Sequence, residues 1–275
     1  MKLSVWSNYF TEQSPEEAVE EFQNAGYDCS ELSDEHGAML LKRGDPFRTG
    51  REFAQYAADH GVRFPQGHLW LSCPLCARDD RVIDTLKQWL DLYCAVGAFR
   101  AVLHCDHDSF PEGTEHEEKI EANAAAIRKL TAHIAGSEMT ICLENLFVYD
   151  PNDRHITETA DELLTVIKAA GGKNLGICLD TGHLNITDRD QVKFIRTAGS
   201  RLKALHIADN EGKTDQHLMP FGRGNVDFEA IVKELTAIGY DGLFNLEIPG
   251  ENRCPLSVKR FKLEYIKNAC GELLK

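Results

Sequence analysis

Short apolar runs alternate with longer amphipathic stretches along the whole chain. The apolar runs have the length of strands, and turn residues or charged segments bound them. Eight strands are predicted, at 2–6, 27–32, 63–68, 99–104, 139–144, 174–180, 202–206 and 243–247. A helix is predicted between each strand and the next, and one more follows the last strand.

Helix boundaries carry recognisable signals. Ser14 is typical of an N-cap, Pro15 of a first helical position, and Gly26 of a stop. The remaining helices are predicted at 46–60, 78–96, 115–135, 157–170, 189–198, 227–238 and 255–270, and glycine follows several of them.

Eight strand–helix units in succession favour one α/β fold over the whole chain. Alternation of this kind predicts a parallel sheet, and eight units predict a closed (β/α)8 TIM barrel. We therefore expect residues 1–275 to form a single barrel domain. A doubly wound open sheet also fits the alternation, but no glycine-rich phosphate fingerprint follows the first strand.

Six consecutive predicted strands end on an imidazole or a carboxylate. These residues are His68, His104, Glu144, Asp180, His206 and Glu247. In a TIM barrel the C-terminal strand ends meet at one mouth, so the six side chains should converge. His183 follows strand six, and Asp215 and His217 lie in the long loop after strand seven. This mixture suits zinc, manganese, cobalt or iron, whereas carboxylates alone would indicate magnesium or calcium.

Each of these residues also has a structural interpretation. A single histidine at a strand end is often only a hydrogen-bonded rim residue. Glu144 and Glu247 end apolar runs, where a carboxylate is costly to bury unless it is paired or metal-bound. A salt bridge inside the mouth would satisfy either of them, but the full set of six favours a metal site.

Other residues at the mouth are candidates for substrate contacts. Trp6 and Trp70 follow strands at the same rim and would form an apolar wall against a sugar, or simply pack. Arg223, between Gly222 and Gly224, is a candidate for binding an anion, as is Lys213, although loop arginines are more often solvated.

Composition narrows the classes of function. The chain has 275 residues, 43% hydrophobic, and a formal net charge of −14, which disfavours nucleic acid without excluding it, because bound metal can reverse the local charge. The nine cysteines are scattered and are interpreted as reduced thiols. The sequence has no signal-peptide pattern and no apolar run long enough to span a membrane, so we expect a cytoplasmic protein that is not inserted in a membrane. A homodimer is the default expectation for its assembly.

The motifs together resemble the xylose-isomerase-like barrels, which include sugar phosphate isomerases and epimerases as well as endonuclease-IV-type apurinic endonucleases. The matching pieces span strands three to eight: Gly67-His68, Leu103-His104, Cys142-Leu-Glu144-Asn145, Leu179-Asp180-Thr-Gly-His183, Leu205-His206-Ile-Ala-Asp209-Asn, Asp215-Gln-His217, Gly222-Arg-Gly224-Asn-Val-Asp227 and Leu246-Glu247. These motifs are specific for the superfamily but do not distinguish well among its members.

The resemblance to the epimerase branch implies one divalent metal held by Glu144, Asp180, His206 and Glu247. The two glutamates would also be the acid and base on opposite faces of the substrate carbon, with the metal stabilising an enediolate. His183 would contact a substrate oxygen, and His68, His104 and His217 would line the pocket or hold additional metal.

The resemblance to the endonuclease branch implies three zinc ions. His68, His104 and Glu144 would hold the first; Glu144, Asp180, His206 and Glu247 the second; and His183, Asp215 and His217 the third. All nine positions carry the expected residue types.

We expect a metal-dependent isomerase or epimerase of a small sugar, sugar phosphate or related polyol, with one Mn, Co, Mg or Zn ion. A zinc phosphoesterase with up to three ions is the alternative, and a sugar-binding protein on a decayed barrel is the third interpretation. The charge of −14 and the lack of a basic cluster count against a DNA substrate.

Overall fold

Parallel strands surround a common axis in the computed structural model, which describes residues 1–77, 79–150, 152–250 and 254–275. In this part of the chain the strands are β1 (Lys2–Val5), β2 (Cys29–Leu32), β3 (Arg63–His68), β4 (Arg100–Leu103), β5 (Thr140–Glu144), β6 (Leu175–Asp180), β7 (Leu202–His206) and β8 (Leu243–Leu246). Each lies within a few residues of a predicted strand.

The sheet closes on itself. Strands β2 to β7 pair in chain order, and β1 pairs with β8 in parallel. Parallel bridges from Trp6 to Glu31 and from Ile207 to Leu246 join these two groups of strands. The predicted TIM barrel is therefore confirmed.

The helices surround the barrel. In the described residues they are α1 (Pro15–Asn24), α2 (Asp34–Leu41), α3 (Pro46–Asp59), α4 (Asp80–Val96), α5 (His116–His133), α6 (Ala160–Ala169), α7 (Thr181–Ile186), α8 (Gln191–Ala198), α9 (Phe228–Ala237) and α10 (Leu256–Leu273). Arg78, the first residue of the third predicted helix, lies outside the described residues. None of the described helices combines the length and apolar character that crossing a membrane requires.

Helix α1 begins as its sequence predicts. The Ser14 hydroxyl accepts a hydrogen bond from the Glu17 amide at 3.2 Å, and the Glu17 carboxylate accepts one from the Ser14 amide at 2.8 Å. This reciprocal arrangement satisfies backbone donors that the first helical turn would otherwise leave free.

Helices α2 and α7 were not predicted. Helix α2 carries Gly37 in its interior, a residue that usually disfavours helix. A Cβ atom at Gly37 would lie 2.3 Å from the Trp89 ring, so glycine lets α2 approach α4 closely. Tertiary packing therefore outweighs local propensity here.

The barrel interior is lined by small side chains beneath the mouth. Alternate residues of a strand face the same side, so Cys142 lies below Glu144, Cys178 below Asp180 and Ala204 below His206. With Val102, the three small residues form a separate buried cluster. All nine cysteines are free thiols.

Candidate metal centre at the barrel mouth

The six predicted strand-end side chains meet at the C-terminal mouth of the barrel. Register places them side by side, since Glu144 pairs with Cys178, and Asp180 pairs with His206. Five of the six residues are almost completely buried, whereas His104 is partly exposed. The ligand-type side chains are therefore buried as one group, largely shielded from solvent.

Four of these side chains form what we call the mouth group: Glu144, Asp180, His206 and Glu247. One ligand atom from each lies within 4.8 Å of all the others. Asp180 Oδ2, His206 Nδ1 and Glu247 Oε2 are buried without a hydrogen-bond partner. His206 Nδ1 lies 3.1 Å from Glu144 Oε2 and 3.3 Å from Glu247 Oε2, but the angles do not make hydrogen bonds.

Buried polar atoms without partners carry a large desolvation cost. Three carboxylates and one imidazole supply the mixed oxygen and nitrogen donors that a borderline divalent ion accepts. The mouth group therefore fits the single metal that its motif implies.

Glu31, on β2, orients the imidazole of the mouth group. Its Oε1 atom lies 3.1 Å from His206 Nε2, and its Oε2 atom accepts a short hydrogen bond from Asn245. The Asn245 side chain also accepts a bond of 2.8 Å from Ser4 Oγ. A carboxylate at Nε2 leaves Nδ1 free to face the mouth, the usual support of a metal-bound histidine.

We expect Glu31→Gln to weaken metal binding by roughly 10–100-fold, because glutamine no longer fixes the tautomer and basicity of His206. The measurement is the metal dissociation constant in competition with a coloured chelator. Glu234→Gln is the control, since Glu234 is also nearly buried but pairs with Arg196 on the outer helices. Unchanged metal affinity in Glu31→Gln would contradict the positioning role.

A second set, the histidine group, consists of His68, His104 and Glu144. The two imidazole Nε2 atoms are 3.2 Å apart, and His104 Nε2 lies 3.1 Å from Glu144 Oε2. His68 is fixed by a 2.6 Å contact between Nδ1 and the Leu69 carbonyl oxygen. Glu144 thus belongs to both sets and would bridge two ions.

A third set, the loop group, consists of His183, Asp215 and His217. Asp215 Oδ2 lies 2.9 Å from His217 Nε2 and 3.5 Å from His183 Nε2, while Asp215 Oδ1 is buried without a partner. His217 has a φ of 43°, a left-handed conformation that costs a non-glycine residue energy. The 2.7 Å contact of its Nδ1 with the Glu247 carbonyl oxygen helps to hold it there.

The pKa values of the buried groups in the cluster shift in opposite directions. Burial alone would raise the pKa of Glu144, but the imidazoles of His206 and His104 hold it well below its usual range. Burial raises the pKa of Glu247 to about 8. Burial alone would lower the pKa of His68, but Glu144 raises it to about 9. Protons on imidazoles thus offset carboxylate charge when no metal does so.

The loop that carries Asp215 and His217 is closed at its base. Asp209 and Leu218 exchange two backbone hydrogen bonds of 2.8 and 2.9 Å, and the Asp209 side chain accepts from the Val226 amide at 3.0 Å. A Cβ atom at Gly224 would lie 2.1 Å from the Asp209 carboxyl group, so only glycine fits. Gly224 therefore shapes the turn at the base of this loop.

Aromatic side chains surround the cluster, but only in part those that the sequence suggested. Trp6 stacks on His217, with 6.5 Å between ring centroids and 10° between planes. Phe147 contacts His183 at 5.2 Å, and the Tyr149 hydroxyl accepts from the Asp215 amide at 3.1 Å. Phe147 and Tyr149 lie in the loop that follows β5, and no pattern in the sequence singled them out.

Three further residues were predicted to contact a substrate: Trp70, Arg223 and Lys213. Trp70 is half-buried and packs against the hydrophobic core, while Arg223 and Lys213 are exposed. Among the described residues, no hydrogen bond, ion pair or ring contact joins these three side chains to the three metal-ligand sets. Their roles in substrate binding stay predictions.

Known proteins resemble this chain over most of its length. A ketose 3-epimerase of Arthrobacter globiformis is 26% identical over 247 residues, which are 86% of this chain and 78% of that protein. A D-psicose 3-epimerase structure with D-tagatose, from Clostridium cellulolyticum, superposes with a TM-score of 0.81, 19% identity and 100% coverage of both chains. At that identity the likeness shows the fold alone.

Other relatives match less completely. An uncharacterized protein of Sinorhizobium fredii is 29% identical to this chain over 173 residues. The matched residues are 61% of this chain and 52% of that protein, so the chain spans about half of the relative's length. The sequence model of the xylose isomerase-like TIM barrel family matches residues 19–268. The chain belongs to this xylose isomerase-like TIM barrel family.

Proposed function

We propose that this chain is a divalent-metal-dependent epimerase that inverts the carbon next to the carbonyl group of a small, unphosphorylated keto-sugar. The mouth group carries the proposal, because it combines a fitting metal-ligand set with two glutamates at one centre. The reaction class is supported by relatives named ketose 3-epimerase, L-ribulose 3-epimerase and D-psicose 3-epimerase.

Epimerisation needs one group that removes a proton from carbon and another that returns a proton to the opposite face. Glu144 ends β5 and Glu247 follows β8, so they reach the centre from well-separated positions on the barrel wall. We assign proton removal and return to these two carboxylates. When bound, a divalent ion would polarise the substrate carbonyl and offset the charge that develops on its oxygen.

The other polar groups would orient the sugar. We assign His183, His68 and His104 to hydrogen bonds with its oxygen atoms, because their ring nitrogens face the centre. Trp6 and Phe147 supply apolar faces beside the loop group and suit the C–H faces of a sugar. These aromatic rings would also keep bulk water away from the reacting carbon.

The described walls of a cavity beside the centre favour an unphosphorylated substrate. A cavity of about 280 Å³ opens next to His104, and its described walls include Asp106 and Asp108 but no lysine or arginine. Phosphate recognition ordinarily requires such cations. A free sugar hydroxyl, by contrast, needs only neutral or acidic hydrogen-bond partners.

Deuterium exchange tests the proposal directly. The metal-loaded protein is incubated in D2O with D-fructose, D-psicose, D-tagatose or L-ribulose, and proton NMR follows carbon 3. We expect deuterium at this carbon together with the second epimer, and no reaction after chelation. Metal-loaded protein that exchanges no carbon-bound proton in any ketose would refute the assignment.

A metallophosphoesterase is the second candidate, because the histidine group and the loop group are also assembled. Three adjacent ions would favour attack of hydroxide on a phosphate ester. The unpartnered Asp215 Oδ1 atom is the specific observation that favours an ion in the loop group. Elemental mass spectrometry on protein purified without chelator separates the candidates: about one metal per chain supports the epimerase, and three zinc ions support the phosphoesterase.

A further inference from the structure

A second cavity lies at the opposite end of the barrel from the metal centre. Its volume is about 480 Å³, within the range of small-molecule sites. First residues of several strands line it, including Lys2, Cys29, Arg63, Arg100 and Leu243. The N-terminal end of the barrel is therefore open to a ligand.

Basic side chains dominate the charge of this cavity. Lys2, Arg63, Arg100 and Lys203 line it, and Asp241 is the one lining carboxylate among the described residues. The cavity wall is thus positively charged, although the formal net charge of the whole chain is −14. Lys2 is paired with Asp28 at 2.5 Å, so its charge is already offset.

The other three cations lack a carboxylate partner of this kind among the residues that the structure describes. In the described part of the chain, no carboxylate forms a salt bridge with Arg63, Arg100 or Lys203. The Arg100 guanidinium donates hydrogen bonds to the Phe99 carbonyl oxygen at 2.9 Å and the Thr140 hydroxyl at 3.4 Å. Unpaired guanidinium groups beside a concave surface suit a carboxylate or phosphate, which they can bind through two parallel hydrogen bonds.

The rest of the cavity wall is apolar. Phe64, Val96 and Leu202 contribute to it, and the Phe99 ring is 46% exposed beneath the Arg100 guanidinium, 4.9 Å from the ring centroid. An exposed ring held under a cation offers a stacking surface next to the charge. A bare inorganic anion would leave this surface in water.

We propose that this cavity is a binding site for a small organic anion: a phosphate, phosphonate or carboxylate group attached to a flat apolar body. The anionic group would lie between Arg63, Arg100 and Lys203, and the apolar body would contact Phe99 and the aliphatic wall. The site is separate from the metal centre and does not depend on the reaction assigned to it.

Phenylphosphonate is a suitable probe, since it combines both parts and cannot be hydrolysed. Its binding to the metal-loaded protein is measured by calorimetry at pH 8, with inorganic phosphate and phenol as its separate halves. We expect phenylphosphonate to bind at least roughly tenfold more tightly than either half, because both subsites are then filled. Equal affinity for phosphate and phenylphosphonate would overturn the apolar part of the proposal.

Charge-matched variants locate the bound probe. We expect R63M/K203M, which keeps the apolar stems, to raise the dissociation constant roughly tenfold or more by removing two charge-assisted contacts. The control R81M/K193M removes two exposed cations elsewhere and should leave it unchanged. An equal loss in both variants, or displacement of the probe by chelating the metal, would overturn the site.

A third variant covers the case in which R63M/K203M does not fold. Ala54 lines the cavity from α3 and is half-buried, so Ala54→Trp fills the space without changing any charge. We expect this variant to lose phenylphosphonate binding and to keep the metal stoichiometry of the unmodified protein. Retained binding in a folded Ala54→Trp variant would refute the proposal.

Discussion

The Glu247→Gln variant is expected to lose roughly 10³-fold in kcat for epimerisation, within the usual contribution of general acid–base catalysis. Glutamine keeps an oxygen that can face a metal but cannot accept or return a proton. Glu144 remains in place and can still remove the proton that faces it. Deuterium should therefore enter one epimer in Glu247→Gln and the other epimer in Glu144→Gln, whereas the unmodified protein labels both.

Metal loss is the main competing explanation for such a result. Metal content is therefore measured in both variants, and Glu272→Gln serves as a control because Glu272 lies on the exposed end of α10. Inactivity towards both epimers in a variant with full metal content would show that the two carboxylates do not divide the proton transfers.

Metal binding is expected to stabilise the fold strongly. At a free metal concentration 100 times the dissociation constant, the gain is about 2.7 kcal/mol, which corresponds to a rise in Tm of roughly 5–10 °C for a domain near this size. The cause is local, since a cation offsets the buried carboxylates of Glu144, Asp180 and Glu247. Differential scanning calorimetry with Mn, Co, Mg or Zn measures the shift.

The size of this stabilisation should also depend on pH. Burial alone would lower the pKa of His206, but Cys178, Glu144 and Glu247 raise it well above its usual range, so without metal a proton competes for a ligand atom of the mouth group. The increase in Tm should be larger at pH 8 than at pH 6, because metal and protons compete.

The control variant for this prediction is Asp180→Asn. It removes one ligand charge but keeps an oxygen for the 2.6 Å hydrogen bond from the His183 amide. A metal-induced shift as large in Asp180→Asn as in the unmodified chain would place the ion outside the mouth group.

The sequence was sufficient to predict the strand-end residues of the mouth because their signal is local. Each of Glu144, Asp180 and His206 ends an apolar run, and parallel strands bring such ends to one side. The fold class was predictable for the same reason, since the repeated strand and helix periods leave few topologies. Neither inference required knowledge of a side-chain contact.

Glu31 and α7 could not be predicted in this way. Glu31 lies one residue before the end of β2, so it is not the residue that ends its strand. Its partner His206 is distant in sequence, so no local pattern links the two. Helix α7 starts directly at the end of β6, with Asp180 as its N-cap, and its six residues are too few for a helical period. Both depend on tertiary contacts that only the closed barrel provides.

Because the loop of residues 209–225 is closed at its base, the residues within it could be replaced during evolution without a change in the barrel. Asp215 and His217 lie within the loop, whereas the whole mouth group lies on the strands or next to their ends. Exchange of residues 211–223 as one piece would delete two members of the loop group and reshape the pocket rim, yet leave every mouth-group ligand in place. The loop group and the shape of the pocket rim would thus be inherited together on one exchangeable segment, independently of the barrel that carries the mouth group.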